Sequence, residues 1–129
     1  MFMKTLIQSL PYIIAVDNEE DLLMLFKSCL SASGFEVATS LNAADLLPML
    51  KEKKADVIFL DIHMDGVDGG AICHKLKNNK YTAGIPVIML SGNDNIETIT
   101  KASCADGYLK KPFSTQKIVA EIKRVLAKH

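Results

Sequence analysis

The chain has 129 residues, of which 49% are hydrophobic and 23% charged, with 15 basic and 15 acidic side chains and a formal net charge of zero. This length suits one domain with a substantial apolar core, and the balanced charge gives no indication of binding to nucleic acid or to a membrane surface. The first ten residues contain no apolar stretch long enough for a signal peptide or a membrane span, so we expect a cytoplasmic protein.

The three cysteines, Cys29, Cys73 and Cys104, are far apart in the sequence. They lack the close pairing that a zinc site or a thiol redox motif requires. We therefore expect three buried or half-buried free thiols, which is compatible with a reducing compartment.

Five short apolar runs are predicted to be strands. Several of them lack polar alternation, which is typical of strands covered on both faces in a parallel sheet. The runs are Tyr12–Val16, Phe35–Ala38, Val57–Leu60, Pro86–Leu90 and Gly107–Leu109.

Segments with helical spacing lie between and after these runs. The pattern is clearest in residues 22–30 and 118–126 and weaker in Asn42–Lys53, Gly70–Asn78 and Asn95–Ser103. Strand and helix thus alternate five times, which predicts an α/β fold with right-handed crossovers and helices on both faces of the sheet. Ligand chemistry is then expected beyond the carboxyl ends of the strands.

An acidic cluster, Asp17-Asn18-Glu19-Glu20-Asp21, follows the first predicted strand. A nucleotide or flavin site would need glycine or small hydroxyl residues at this position to approach a phosphate, so both kinds of site are disfavoured. We assign Glu19, Glu20 and Asp21 to the positive end of the following helix dipole. Asp17 stands at the strand end itself and is a candidate site residue.

Three further strand ends carry polar residues that would meet Asp17 at the same edge. Asp61 ends the third strand, Ser91 ends the fourth and Lys111 follows the fifth. Two carboxylates brought together there would repel each other unless a hard cation such as Mg²⁺ bridged them, whereas a hydroxyl and an ammonium suit an anionic ligand. Taken singly, each residue also has an ordinary explanation as a turn former or a solvated lysine.

The residues that close the predicted strands are, in order, Asp17-Asn18, Asp61, Ser91 and Lys111-Pro112. Each motif is weak alone, but their ordered combination resembles the receiver domains of bacterial response regulators over about residues 11–128. Supporting phrases are Leu60–Met64, Asp68-Gly69, Ile85–Ser91 and Asp106–Phe113. The resemblance implies a flavodoxin-like, doubly wound (βα)5 fold with a five-stranded parallel sheet in the order 2-1-3-4-5. We expect one receiver domain over residues 1–129, with residues 1–10 as an N-terminal extension and no output domain.

By this resemblance, the domain would act in two-component or phosphorelay signalling and would not be an enzyme. Asp61 would accept a phosphoryl group from a phosphohistidine on a histidine kinase or a histidine phosphotransfer protein. Ser91 would donate a hydrogen bond to one phosphoryl oxygen and Lys111 would pair with another, beside a cis Lys111-Pro112 bond. Mg²⁺ would be bound by Asp61, the side-chain oxygen of Asn18, the backbone carbonyl of His63 and waters, one of them held by Asp17.

The resemblance also implies a switch. Phosphorylation would draw Ser91 inward, Tyr108 would follow, and the surface of the fourth helix, fifth strand and fifth helix would change and control a downstream effector protein. The basic side chains assigned to that surface suggest an acidic partner, and direct binding to nucleic acid or membrane is not expected. They are Lys101, Lys110, Lys117, Lys123 and Arg124.

The chain departs from the family pattern at the metal site. Asn18 stands where most members have an aspartate that ligates the metal, so one formal negative charge is missing and weaker Mg²⁺ binding is expected. This opens a first alternative, a pseudo-receiver that signals through protein contacts without phosphorylation. A second is a Mg²⁺-dependent aspartyl phosphatase of the haloacid-dehalogenase type, but its acid/base aspartate would stand two residues after Asp61, where this chain has His63.

Overall fold

Five parallel strands and five α-helices alternate along the part of the chain that the computed structural model describes, residues 10–64 and 66–128. The strands are β1 (Tyr12–Val16), β2 (Glu36–Ser40), β3 (Val57–Asp61), β4 (Val87–Ser91) and β5 (Gly107–Lys110). The helices are α1 (Glu20–Ala32), α2 (Leu46–Glu52), α3 (Gly69–Lys77), α4 (Ile96–Ser103) and α5 (Thr115–Lys128). Within these ranges no helix combines the length and the apolar character needed to cross a membrane. The expected N-terminal extension, apart from Leu10, lies outside the described residues.

The strands form one sheet in the order β2-β1-β3-β4-β5, and every neighbouring pair is parallel. The predicted fold class and strand order are therefore confirmed. All residues of β1, β3 and β4 are buried. Side chains on both faces of these central strands are covered, which explains why their sequences are continuous apolar runs.

Successive residues of the central strands β1, β3 and β4 belong to two separate cores. Ile13 and Ala15 of β1 pack with α1 and α5 on one face, and Ile14 and Val16 pack with α2, α3 and α4 on the other. On the first face, the rings of Phe26 in α1 and Phe59 in β3 meet edge to face with their centroids 5.0 Å apart. The two cores fix the strands firmly, so the residues at the strand ends have defined positions.

The second predicted helix is shorter than expected. Residues Ala43–Asp45 form a 3₁₀ turn, and the α-helix begins at Leu46. The reason is Pro48, which lacks the N–H that a continuous α-helix would direct to the carbonyl of Ala44. Because α2 starts at Leu46, Pro48 falls in its first turn, where no intrahelical N–H bond is needed.

The segment after β3, predicted as a loop, contains a small antiparallel hairpin that pairs His63–Met64 with Val67–Asp68. Gly66 in its turn has φ of +78°, which glycine adopts without strain. Met64 is buried and anchors the hairpin to the core. The paired residues therefore have defined positions beside the end of β3.

The cysteine prediction is confirmed at two positions and wrong at the third. Cys73 is buried and Cys29 half-buried, but Cys104 is exposed. Cys104 ends α4 in the left-handed conformation, with φ of +62°. This is the usual conformation where a chain turns out of a helix, and such turns lie at the surface.

A partly buried ion pair ties α3 to the amino ends of β4 and β5. The ammonium of Lys77 lies 2.6 Å from Oδ2 of Asp106 and donates a hydrogen bond of 2.8 Å to the carbonyl of Ile85. The same Asp106 oxygen accepts a hydrogen bond from the backbone N–H of Val87. No local sequence pattern indicates this network, because its members lie up to 29 residues apart.

Candidate functional site

The candidate site lies at the carboxyl edge of the sheet, where the ends of β1, β3, β4 and β5 bring together Asp17, Asp61, Ser91 and Lys111. The relative exposures of the first three residues are 0%, 3% and 2%, and that of the Lys111 side chain is 18%. An open cleft above them is lined by Asn18, Glu19, Asp61, His63, Ser91, Gly92, Asn93, Lys111 and Pro112. The residues predicted to form a phosphorylation site, except Tyr108, therefore meet in one place.

Lys111 is the centre of charge in this site. Its ammonium lies 2.9 Å from Oδ2 of Asp17 and 3.7 Å from Oδ2 of Asp61. A third carboxylate, Glu19, accepts a hydrogen bond of 2.8 Å from the same ammonium. Burial opposes the charge of Lys111, but the carboxylates of Glu19 and Asp17 outweigh it and raise the pKa of the lysine. The ammonium is therefore the form present at neutral pH.

Asp61 is an unusually basic carboxylate. Burial raises its pKa most, the neighbouring charge of Asp17 raises it further, and Lys111 and a hydrogen bond from the backbone N–H of His63 lower it. The net effect raises the pKa of Asp61 to about 6. The hydrogen bond from His63 joins Oδ1 at 3.2 Å and sets the orientation of the carboxylate. Asp61 is thus mostly ionised at neutral pH although it is poorly solvated.

Ser91 is placed to present a hydroxyl group to the cleft. Its Oγ accepts a hydrogen bond of 3.0 Å from the backbone N–H of Asn93, and its carbonyl accepts one of 2.8 Å from the backbone N–H of Lys111. A hydroxyl that accepts one hydrogen bond can still donate its own hydrogen to an anion. The Lys111–Pro112 peptide bond is cis, as predicted.

Tyr108, the predicted switch residue, does not line this cleft. Its side chain is 38% exposed and lines a separate groove between α4, β5 and α5, together with Glu97, Lys101 and Arg124. The structure therefore places Tyr108 on the surface where the effector was expected to bind.

The oxygen atoms around Asp17 and Asp61 fit a hard cation. Oδ2 of Asp17 is completely buried and has no aligned hydrogen bond among the described residues, although the Lys111 ammonium is near. No group of three histidine, cysteine, aspartate or glutamate side chains within residues 10–64 and 66–128 could hold a metal ion. An ion here would therefore need the Asn18 amide, a main-chain oxygen or water, which are ligands that Mg²⁺ accepts.

Glu19, Glu20 and Asp21 stand at the amino end of α1 as predicted, but Glu19 has a further partner that the prediction lacked. Glu19 is the N-cap residue of α1, yet its side chain makes no capping hydrogen bond. It reaches Lys111 instead, 92 residues along the chain. Sequence reasoning missed this contact because no local pattern connects residues so far apart.

The sequence of this chain is similar to that of proteins whose family is known. Residues 13–123 match the response regulator receiver domain family. The phosphate regulon transcriptional regulatory protein PhoB of Rhizobium meliloti (strain 1021) is 37% identical over 119 residues, which cover 91% of this chain and 52% of that protein. The chain thus spans about half the length of this curated relative.

Solved structures agree with this match. The receiver domain of NtrX from Brucella abortus is 32% identical, with a TM-score of 0.81 over 91% of this chain and 99% of that chain. The chemotaxis response regulator CheY4 of Vibrio cholerae is 25% identical, with a TM-score of 0.84 over 92% of this chain and 100% of that chain.

Receiver domains are phosphoacceptor signalling domains that generally bind Mg²⁺ at the phosphorylation site, and response regulators interact with histidine kinases and downstream effectors. Because the family match covers most of the chain and the fold agrees with it, the chain belongs to the response regulator receiver domain family and takes part in two-component signal transduction.

Proposed function

We propose that Asp61 is the residue of this receiver domain that accepts the phosphoryl group, with a phosphohistidine on a histidine kinase or a phosphotransfer protein as the donor. The observation that carries this proposal is the position of Asp61. Its carboxylate lies at the floor of an open cleft, 3.7 Å from the Lys111 ammonium and oriented by the His63 N–H. A carboxylate with these neighbours is a nucleophile beside a group that can pair with the incoming anion.

In the proposed reaction an oxygen of Asp61 attacks the phosphorus, and the bond from phosphorus to the donor histidine nitrogen breaks. Lys111 pairs with one phosphoryl oxygen and Ser91 donates a hydrogen bond to another, so negative charge is balanced as the groups approach. Asp17, Asn18 and the carbonyl of His63 would help to hold Mg²⁺, which, when bound, reduces repulsion between the carboxylates and the phosphoryl oxygens. The product is an acyl phosphate on Asp61.

We further propose that the surface of α4, β5 and α5, with Ser91 and Tyr108 as switch residues, passes the signal to an effector protein. The basic side chains of this surface support an acidic partner less strongly than the sequence suggested, because most of them have acidic neighbours. Three of its five basic side chains have acidic neighbours: Lys101 pairs with Glu97, Lys110 with Asp94 and Arg124 with Glu121. Lys117 and Lys123 are exposed cations on α5.

The test is phosphorylation by a small phosphodonor such as acetyl phosphate with Mg²⁺, read by intact mass. The unmodified chain should gain one phosphoryl group and Asp61→Asn should gain none, because an amide oxygen is a poor nucleophile. Asp21→Asn, which changes an exposed carboxylate in the first turn of α1, should label normally. Labelling of Asp61→Asn to the same extent would refute the proposal, and no labelling of any variant would favour the pseudo-receiver.

Asn18→Asp is expected to bind Mg²⁺ about tenfold more tightly than the unmodified chain, because it adds a negative charge beside Asp17 and Asp61. Calorimetric titration with MgCl₂ measures the two affinities. Asn93→Asp, which adds the same charge on another part of the cleft rim, should have a smaller effect. Equal or tighter binding by the unmodified chain would contradict the expectation.

A further inference from the structure

Three carboxylates surround the ammonium of Lys111, and they differ in their freedom to move. The side chains of Asp17 and Asp61 are 0% and 5% exposed and follow or end buried strands. The side chain of Glu19 is 59% exposed and lies on the rim of the cleft. Of the three, Glu19 is the partner that can leave the ammonium without disturbing the core.

The backbone of Glu19 is anchored although its side chain extends. Its N–H donates a hydrogen bond of 2.9 Å to Oδ1 of Asp17. Glutamate at this N-cap position does not cap α1, so its carboxylate is available for Lys111, to which it lies closer than either aspartate does. The contact therefore joins the start of α1 to the end of β5 across the cleft.

The ammonium of Lys111 has three N–H donors; it donates a hydrogen bond to Glu19, and oxygen atoms of Asp17 and Asp61 lie 2.9 and 3.7 Å from it. A phosphoryl oxygen that is to pair with Lys111 therefore competes with these carboxylates, and first with Glu19, whose contact is a hydrogen bond. We propose that Glu19 is a latch on Lys111, which holds the ammonium before phosphorylation and is displaced into solvent by the incoming phosphoryl group. This inference rests on the proposed roles of Asp61 and Lys111, and it makes Glu19 a positioning residue that acts through the lysine.

The latch slows phosphorylation, because the contact with Glu19 competes with the pairing of Lys111 and the phosphoryl group. Glu19→Gln should raise the rate constant for labelling by acetyl phosphate at saturating Mg²⁺ about twofold to fivefold, as expected for a partly exposed ion pair. The ratio between variant and unmodified chain should fall as ionic strength rises, since salt screens exposed charges. Glu20→Gln is the matched control, because it removes the adjacent exposed carboxylate and should leave the rate unchanged.

Glu19→Asp shows whether the effect depends on the contact with Lys111 or only on a negative charge at position 19. It keeps the negative charge but is one methylene shorter, and aspartate at an N-cap position favours the backbone N–H groups of its own helix. If the contact with Lys111 matters, Glu19→Asp should resemble Glu19→Gln. If only the local charge matters, it should resemble the unmodified chain, and the latch is then excluded.

A second measurement needs neither phosphorylation nor Mg²⁺. Acylation of Lys111 by a small amine reagent, read by peptide mass spectrometry without the metal, should be about twofold or more faster in Glu19→Gln, because the amine loses a partner that favours its charged form. Equal acylation of Lys111 in Glu19→Gln and Glu20→Gln, or slower phosphorylation of Glu19→Gln, would overturn the latch. If no variant is phosphorylated at Asp61, the proposed acceptor and the proposed displacement both fall, whereas the acylation result still decides whether the contact exists.

Discussion

Gly69→Ala is expected to lower the free energy of unfolding by about 3 kcal/mol or more. A β-carbon built on Gly69 would lie 2.1 Å from the backbone oxygen of Asp61 and 2.8 Å from Cα of Ile62. These atoms cannot yield easily, because Asp61 is paired with Leu90 in β4 and the N–H of Gly69 donates a hydrogen bond to the carbonyl of Ile62. Chemical denaturation followed by circular dichroism measures the loss.

Gly84→Ala is the control for this prediction. Beyond the adjacent residues, no atom lies within 4 Å of a β-carbon built on Gly84, and its φ is not in the left-handed region. Its stability should therefore change by no more than about 1 kcal/mol, in the stabilising direction if the unfolded chain loses freedom. Equal stabilities of Gly69→Ala and Gly84→Ala would show that the end of β3 can shift. Because the clash is with the backbone of Asp61 itself, we also expect Gly69→Ala to be phosphorylated more slowly.

Asp61→Asn is expected to stabilise the metal-free protein at neutral pH. Folding raises the pKa of Asp61 from its ordinary value of 3.8 to about 6, so the folded state binds the proton more tightly than the unfolded state does. Stability contributed by this group is present below pH 4 and is lost as the pH rises through 6. A change of this size corresponds to about 3 kcal/mol, and solvent in the open cleft reduces it, so we expect Asp61→Asn to be about 1 to 2 kcal/mol more stable at pH 7.5.

The pH dependence distinguishes this effect from a change in packing. In a chelating buffer the gain from Asp61→Asn should be present at pH 7.5 and should largely vanish near pH 4. Adding Mg²⁺ at pH 7.5 should stabilise the unmodified chain more than the variant, because only the carboxylate favours the cation. Asp21→Asn, at an exposed position in α1, should show no such gain. An Asp61→Asn variant less stable than the unmodified chain at pH 7.5 without metal would contradict the expectation.

The stability cost at Asp61 follows from the way in which charge is arranged around it. Asp17 and Asp61 are kept close together and poorly solvated, with one ammonium between them. Such an arrangement opposes folding but favours the arrival of a cation. The charge that destabilises the metal-free fold thus favours a cation at the proposed phosphorylation site.

The strands could be predicted closely because a strand that is buried on both faces has a continuous apolar run in its sequence. The run Tyr12–Val16 coincides with β1, and the run from Val57 ends one residue before β3 does. The second helix starts later than its periodicity predicts, because the missing N–H of Pro48 moves the helix start to Leu46. The hairpin after β3 was missed because strands of two residues are too short to show alternation.

The sequence alone determined the alternation of strands and helices, the residues at the strand ends and, through their order, the family. Only the tertiary structure decided which charges meet. Lys110 and Lys111 are adjacent and chemically identical, yet successive residues of an extended chain point in opposite directions, so Lys110 pairs with Asp94 at the surface and Lys111 enters the site. Glu19 and Lys77 likewise acquired partners far along the chain. Periodicity and turn chemistry are local properties, whereas an ion pair depends on which strands become neighbours, and that is settled only when the whole sheet forms.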